Sequence, residues 1–371
     1  MGPPVDPWLT VIRWAPTALI GAGVVFDLLT PIQYSGGPLV AVACVAAGAT
    51  LPLRRTAVVA AAIVVAILWW TFRQGTFGPL HGAVEAGNVI IGALVGLEVN
   101  RVISRYGQRL EAVTTVSEVA QLALLPDPPQ RLGPLTVAAL YRAAQSEARI
   151  GGDAYAVEET PYGIRLLIAD VRGKGLGAVR AVSVLLGAFR EAAEQAPDLA
   201  ELAGRLEHAL LREARRRDGE ERVEGFVTAL VGELDLDGGE MRLLNRGHPS
   251  PYLLYGSGTV RPLDPAEPDL PLCMGTLHPR RASADTFAFP PDATLLLVTD
   301  GVTEARDRAG NLYDPAVRLT GRGPFGEPGE TIDTLVRDID RWTGGHNADD
   351  MAVLALTHTT SAERVRRAHV T

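Results

Sequence analysis

Charge is spread so unevenly along this chain that it falls into two parts before any element is assigned. Residues 14–100 are nearly free of charged side chains, and the remainder reads as an ordinary mixture of polar and apolar positions. Hydrophobic residues make up 47% and charged residues 21%, and the apolar excess lies in the first hundred positions. A length of 371 residues predicts two or three units. The roughly 250 residues after the apolar part are enough to bury a full core.

Four apolar stretches fill the first part: Trp14–Leu29, Pro38–Leu53, Thr56–Phe72 and Gly82–Val99. Each approaches the ~17–25 residues of a spanning helix, which predicts a four-helix transmembrane region over residues 1–100. The alternative is four buried helices of an all-α domain. Asp27 and Glu85 fall near span ends, where charge is cheaper than at mid-bilayer. Arg13, Arg54, Arg55, Arg101, Arg105 and Arg109 all fall on one side of such a bundle. The positive-inside rule then predicts a multi-pass protein of a bacterial cytoplasmic membrane, in contact with lipid, with both termini and the second part in the cytoplasm. No removable signal peptide is read at the N-terminus.

A helical connector is predicted over residues 101–127. Ile103, Tyr106, Leu110, Val113, Ser117, Ala120 and Leu124 recur at alternating steps of three and four, a weak heptad seam. One reading is an amphipathic helix packed on its own domain; the other is a parallel homodimer helix. Prolines at 126, 128 and 129 end it. The net charge of −8 argues against nucleic-acid binding. The two cysteines, Cys44 and Cys273, predict neither a disulfide framework nor a zinc site.

From 128 to 360 strand-like runs alternate with helical stretches at Gly177–Glu194, Leu199–Arg217 and Thr331–Trp342. Strands in runs with paired helices inserted predict an α+β fold of antiparallel sheets. Residues 361–371 read as a short basic tail. Acidic residues punctuate the strand ends: Asp153 in IGGDAY, Asp170 in IADVRGKG, Asp300 in LLLVTDGVTE, and Asp349 with Asp350 in NADDMAVLAL. One aspartate beside a glycine is a common turn. Four such sites together suit hard divalent cations, Mn²⁺ or Mg²⁺, which take oxygen ligands. Two such cations would activate a water for in-line attack on phosphorus, and no Cys or Ser nucleophile motif competes with that chemistry.

Taken in order, IGGDAY, DVRGKG, FVTALVGELDL, NRGHPSPYLL, LLLVTDGVTEA and NADDMAVLAL resemble the metal-dependent protein phosphatases of the type 2C superfamily, in the bacterial branch of the sporulation stage II E type. The resemblance runs from about Ala123 to Leu356. It implies an αββα sandwich and hydrolysis of phosphoserine or phosphothreonine on a protein, often an anti-sigma-factor antagonist. It also implies two bound cations, with Asp170 bridging both, the Val171 carbonyl as a further ligand, Asp153 on the second metal, and Asp300 and Asp349 on the first. Asp170 and Asp300 would thereby be the catalytic centre, with Asp350 beside it.

Two positions depart from the family pattern. Ala156 stands where many relatives have Asp, and Lys174 where many have His. Lys174 either attracts the substrate phosphate or is merely solvated. Arg149 lies four residues before Asp153 and either clamps phosphate with its guanidinium fork or is an ordinary surface arginine. His248 in NRGHPSP reads as part of a strand-to-turn segment rather than as a general acid. Ala156 is the one feature favouring an alternative, a non-catalytic membrane sensor that binds a phosphoprotein. A third reading gives the apolar region a small-molecule ligand, with Asp27 and Glu85 as its ionisable groups.

Overall fold

The computed structural model describes residues 7–30, 37–74, 87–88, 90–106, 125, 127–143, 152–173, 175–215, 226–235, 239–274, 282–345 and 349–359. The chain divides into two compact units, Met1–Ala112 and Val113–Thr371.

The first unit holds helices α1 (Pro7–Leu29), α2 (Gly37–Thr50), α3 (Leu53–Gln74) and α4 (90–106). Small residues let α2 and α4 meet backbone to backbone. A Cβ on Gly48 would lie 2.1 Å from the Gly96 carbonyl oxygen, and one on Gly96 would lie 2.3 Å from that of Cys44. Asn100 Nδ2 closes this contact by donating to the carbonyls of Gly48 and Leu51 at 2.8 and 2.7 Å.

The four-span reading is corrected here. Among the described residues, no helix is long and apolar enough to cross a membrane. The 14 residues of α2 extend about 21 Å, short of the ~30 Å hydrocarbon core. Helix α3 opens on Leu53, Arg54 and Arg55. On α4, Glu98 and Arg101 form an ion pair at 2.9 Å. The placement in a cytoplasmic membrane falls with the spans, and so does the sidedness of the termini. Glycines at 48, 92 and 96 serve close packing of α2 on α4, whereas large apolar side chains such as Trp14, Leu29, Val58 and Ile91 are exposed. Of the heptad seam, Ile103 and Tyr106 are described, both exposed at the end of α4. Its positions Leu110, Val113, Ser117, Ala120 and Leu124 lie outside the described residues.

The second unit is built on two antiparallel sheets. One has the order β1-β2-β11-β10-β7-β8, from β1 (Arg131–Leu132), β2 (Leu135–Arg142), β7 (Tyr252–Leu254), β8 (Val260–Pro262), β10 (Thr294–Val298) and β11 (Met351–His358). The other has the order β3-β4-β5-β6-β9, from β3 (Asp153–Thr160), β4 (Gly163–Val171), β5 (Val227–Asp235), β6 (Glu240–Arg246) and β9 (Asp285–Ala288). Helices α5 (Leu176–Gln195) and α6 (Leu199–Ala214) cover the five-stranded sheet, and α9 (Pro328–Thr343) covers the six-stranded one. Two short helices, α7 (Asp300–Thr303) and α8 (Pro315–Leu319), follow β10.

Alternation along the strands dictates this layering. Leu295 and Leu297 of β10, with Ala352, Leu354 and Leu356 of β11, join the core shared with the five-stranded sheet. Their neighbours Leu296, Val298, Met351, Val353 and Ala355 pack against Ile332, Leu335 and Ile339 of α9. A strand buried on both faces reads as a continuous apolar run, as LLLV and MAVLAL do. The α+β reading with antiparallel sheets therefore holds. The strand β3 went unread, because DAYAVEET pairs short alanines with acids and shows little periodicity.

One buried ion pair ties α5 to its sheet. Arg165 of β4 is fully buried and reaches Glu233 of β5 at 2.6 Å. It also donates to the carbonyls of Ala193 and Ala196 at 2.9 and 2.6 Å, capping the end of α5. Removing one partner of a buried pair leaves an uncompensated charge. Glu233→Ala should therefore destabilise the protein by about 3–5 kcal/mol, read as a lowered urea midpoint. A loss under about 1 kcal/mol would mean that Arg165 is satisfied by the α5 carbonyls alone.

Candidate metal centre

The acidic motifs meet at one end of the sandwich. In the five-stranded sheet Asp153 pairs directly with Asp170, and Asp170 with Thr228, so the three side chains share one face. Asp300 starts α7 directly after β10, and Asp349 and Asp350 precede β11. Because β10 and β11 run antiparallel with Val298 opposite Val353, these ends coincide. Ligand oxygens of Asp153, Asp170 and Asp300 lie within 4.8 Å of one another. Asp349 is exposed and accepts a bond from the Asp350 backbone N–H at 3.0 Å, while Asp350 itself is buried.

Two glycines permit the close approach. A Cβ on Gly152 would stand 2.0 Å from the Val171 carbonyl oxygen, and one on Gly301 would stand 1.8 Å from that of Asp350. Gly152 also accepts from the Val171 N–H at 3.0 Å, fixing the backbone on which Asp170 sits. No side chain fits at either point.

The carboxylates are crowded, with Asp153 buried and Asp170 and Asp300 half-buried. Burial raises Asp170 to about 7, helped by the charges of Asp300, Asp349, Asp350 and Glu304. Burial likewise raises Asp153 well above the carboxylate range, with Asp170 the next contributor. Asp300 is raised by burial and then by Asp349 and Glu304. Carboxylates held together in this state are relieved by a multivalent cation, and their oxygens are the donors that Mg²⁺ and Mn²⁺ take. The donor set therefore fits the expected cations.

Two residues of this centre escaped the sequence reading. Glu304 lies one turn beyond Asp300 and acts by charge on both Asp170 and Asp300. Its spacing of four from Asp300 was the available signal. Thr299, fully buried, donates to Asp153 Oδ2 at 2.7 Å. Arg149 and Lys174 lie outside the described residues. Ala156 is fully buried on β3. It lies an odd number of positions from Asp153 and so points to the opposite face of the sheet, which means its lack of a carboxylate takes nothing from this cluster.

The stage II sporulation protein E (SpoIIE) family profile matches residues 160–359, more than half of the chain. The chain belongs to this family. It is a metal-dependent protein phosphatase, a hydrolase that works with two Mn²⁺ or Mg²⁺ ions. Among solved structures, the SiaA-PP2C domain of Pseudomonas aeruginosa is similar at 19% identity and a TM-score of 0.54, over 69% of this chain and 98% of that one, and shares the fold. The RsbU and RsbW domains of a Mycobacterium tuberculosis protein match at 24% identity and a TM-score of 0.48, over 63% of this chain and 66% of theirs. The Bacillus subtilis SpoIIE phosphatase domain with part of its regulatory domain matches at 19% and 0.48, over 61% of this chain and 64% of that one.

In this SpoIIE-family phosphatase His248 is a clamp. It is buried, its Nδ1 meets Thr228 Oγ1 at 3.1 Å, and its backbone N–H donates to Asn245 Oδ1 at 2.8 Å. Burial pushes its pKa down to about 3, so the ring is uncharged near neutrality and is no imidazolium acid. The unfolded chain takes up the imidazolium proton at about pH 6.5. Between these values the unfolded state binds more protons, so this group's contribution is complete above about pH 6.5 and is lost as pH falls toward 3. His248→Asn should flatten the rise of unfolding free energy with pH between about 4 and 6 by one proton, about 1.4 kcal/mol per pH unit. Equal slopes in the two proteins would show that His248 titrates normally in the fold.

Proposed function

We propose that the chain removes phosphate from phosphoserine or phosphothreonine of a protein substrate, with residues 128–360 as the catalytic domain. The observation that carries this reading is the convergence of Asp153, Asp170 and Asp300 from two different sheets onto one small volume. Asp170 would hold both cations. Asp153 and the Val171 carbonyl would hold one of them, and Asp300 with Asp349 the other. When bound, the cations supply a nucleophilic water at neutral pH and neutralise charge on the phosphoryl group. The protein's own part is orientation. Paired strands and the close contacts of Gly152 and Gly301 fix the carboxylates before substrate arrives. Arg149 and Lys174 are proposed to engage the substrate phosphate, for which cationic donors are suited. We propose an anti-sigma-factor antagonist as the phosphoprotein, on the strength of the family resemblance. The exposed Ile103 and Tyr106 support pairing of two copies through the connector.

The test uses the full chain with Mn²⁺ and a phosphothreonine peptide. Asp170→Asn should lower kcat/KM at least about a hundredfold, or ~2.7 kcal/mol of barrier, with an unchanged far-UV circular dichroism spectrum. Equal turnover by wild type and variant would remove Asp170 from the chemistry. Binding without turnover by the wild type would favour the phosphoprotein-binding reading.

A second outcome follows from the raised Asp170. A proton held up to about pH 7 must leave before a cation binds. Mn²⁺ affinity, measured by calorimetry, should fall as pH drops below about 7, with an observed enthalpy that varies with the ionisation enthalpy of the buffer because protons are released. An affinity flat from pH 7 to 5.5 would contradict it.

A further inference from the structure

Thr299 joins the two sheets at the metal centre through a chain of hydrogen bonds with little freedom. Its backbone N–H donates to the Ala352 carbonyl at 3.1 Å, extending the β10–β11 ladder by one step. Its hydroxyl oxygen accepts the Ala352 N–H at 2.9 Å. The single hydroxyl proton then has two acceptors in reach, Asp153 Oδ2 at 2.7 Å and the Ala352 carbonyl at 3.4 Å. The shorter contact has the length of a charge-assisted O–H···O⁻ bond.

The side chain is fully buried, and β-branching leaves it few rotamers. Asp153 belongs to the five-stranded sheet, whereas Thr299 and Ala352 belong to the six-stranded one. The bond therefore fixes a carboxylate of one sheet against the backbone of the other. It does so one residue before Asp300, which the same turn delivers to the cluster.

We propose that Thr299 is a positioning residue for metal binding. Its hydroxyl holds the Asp153 carboxylate in the orientation that receives a divalent cation, and it keeps the ends of the two sheets in register at that point. The proposal rests on the reading of Asp153 as a ligand. Aspartate has one torsion beyond χ1, and this donor is one of the contacts that set how the Asp153 carboxylate faces the cluster. Partners that orient metal ligands typically govern affinity by 10- to 100-fold.

The experiment compares full-length wild type with Thr299→Val, Thr299→Ser and Asp153→Asn. Mn²⁺ affinity is measured by calorimetry, and phosphopeptide turnover as a function of Mn²⁺ concentration. Thr299→Val keeps the shape and removes the donor. It should weaken Mn²⁺ binding about tenfold or more and shift the activity curve to higher Mn²⁺, with turnover largely restored at saturation. Thr299→Ser keeps both hydrogen bonds and should stay within about threefold of wild type. A purely structural role would instead lower turnover at every Mn²⁺ concentration without moving the curve, and that pattern overturns the proposal. If the valine protein does not fold, Thr299→Cys, with only a weak S–H donor, carries the same test and should shift the curve in the same direction.

The controls separate the two readings. Loss of Mn²⁺ binding in Asp153→Asn with wild-type binding in Thr299→Val refutes Thr299 alone. Unchanged binding in Asp153→Asn refutes the ligand assignment, and this proposal with it.

Discussion

Like charges placed opposite one another in a sheet repel, and this fold sets Asp153 directly across from Asp170 in a buried ladder. Everything else at that end of the molecule answers to that repulsion. Burial and this repulsion together raise the pKa of both carboxylates. A divalent ion removes the conflict outright. The sheets make the strain tolerable: β3, β4 and β5 are held along their full length, so the ladder energy is spread over many residues while the repulsion acts at one rung.

Holding that rung in place takes polar contacts as well as packing. Arg165 and Glu233 lock β4 to β5 deep in the sheet and fasten the end of α5 over them. At the opposite end His248 and Thr228 brace β5 against the turn after β6, and Thr299 crosses to the other sheet. Arg165, Glu233, His248 and Thr299 are buried and Thr228 is half-buried, and each makes a polar contact to a specific neighbour. Buried polar networks of this kind specify one arrangement at the expense of others. A metal site needs that uniqueness, since a displacement of an ångström changes the coordination.

Much of this was legible in the sequence, because the information was local. Apolar runs that end on aspartate and glycine announced β4, β10 and β11 and the acids at their tips. The helices α5, α6 and α9 followed from spacing and flanking residues. What the sequence hid was pairing. Asp153 was read as a metal ligand, but nothing local shows that DAYAVEET lies against IRLLIAD. Thr299 looked like a strand end, and its bond to Asp153 spans 146 positions. Ala156 looked like a missing ligand because strand alternation had not been applied to an unrecognised strand. The first unit was misread for a different reason: composition measures how apolar a helix is, but not how long it runs or what it packs against. Gly48, Gly92 and Gly96 serve close contact between α2 and α4, a use that hydropathy cannot distinguish from lipid exposure.

The geometry at position 156 also bears on whether this relative is active. A non-catalytic reading drew its support from the alanine there. On β3 that residue packs into the apolar core, and a carboxylate in its place would be buried among Ala and Leu side chains at a cost of several kcal/mol. The buried cation on the same face, Arg165, is already engaged by Glu233 and the carbonyls of Ala193 and Ala196. The alanine is what an apolar core demands, and it leaves intact the face of the strand that carries Asp153. The crowding of Asp153, Asp170 and Asp300 is unfavourable in the absence of a cation. Losing any one of them would relieve the repulsion and stabilise the fold. All three lie within 4.8 Å of one another, beside glycines that admit no side chain, and that arrangement suits the binding of a divalent cation.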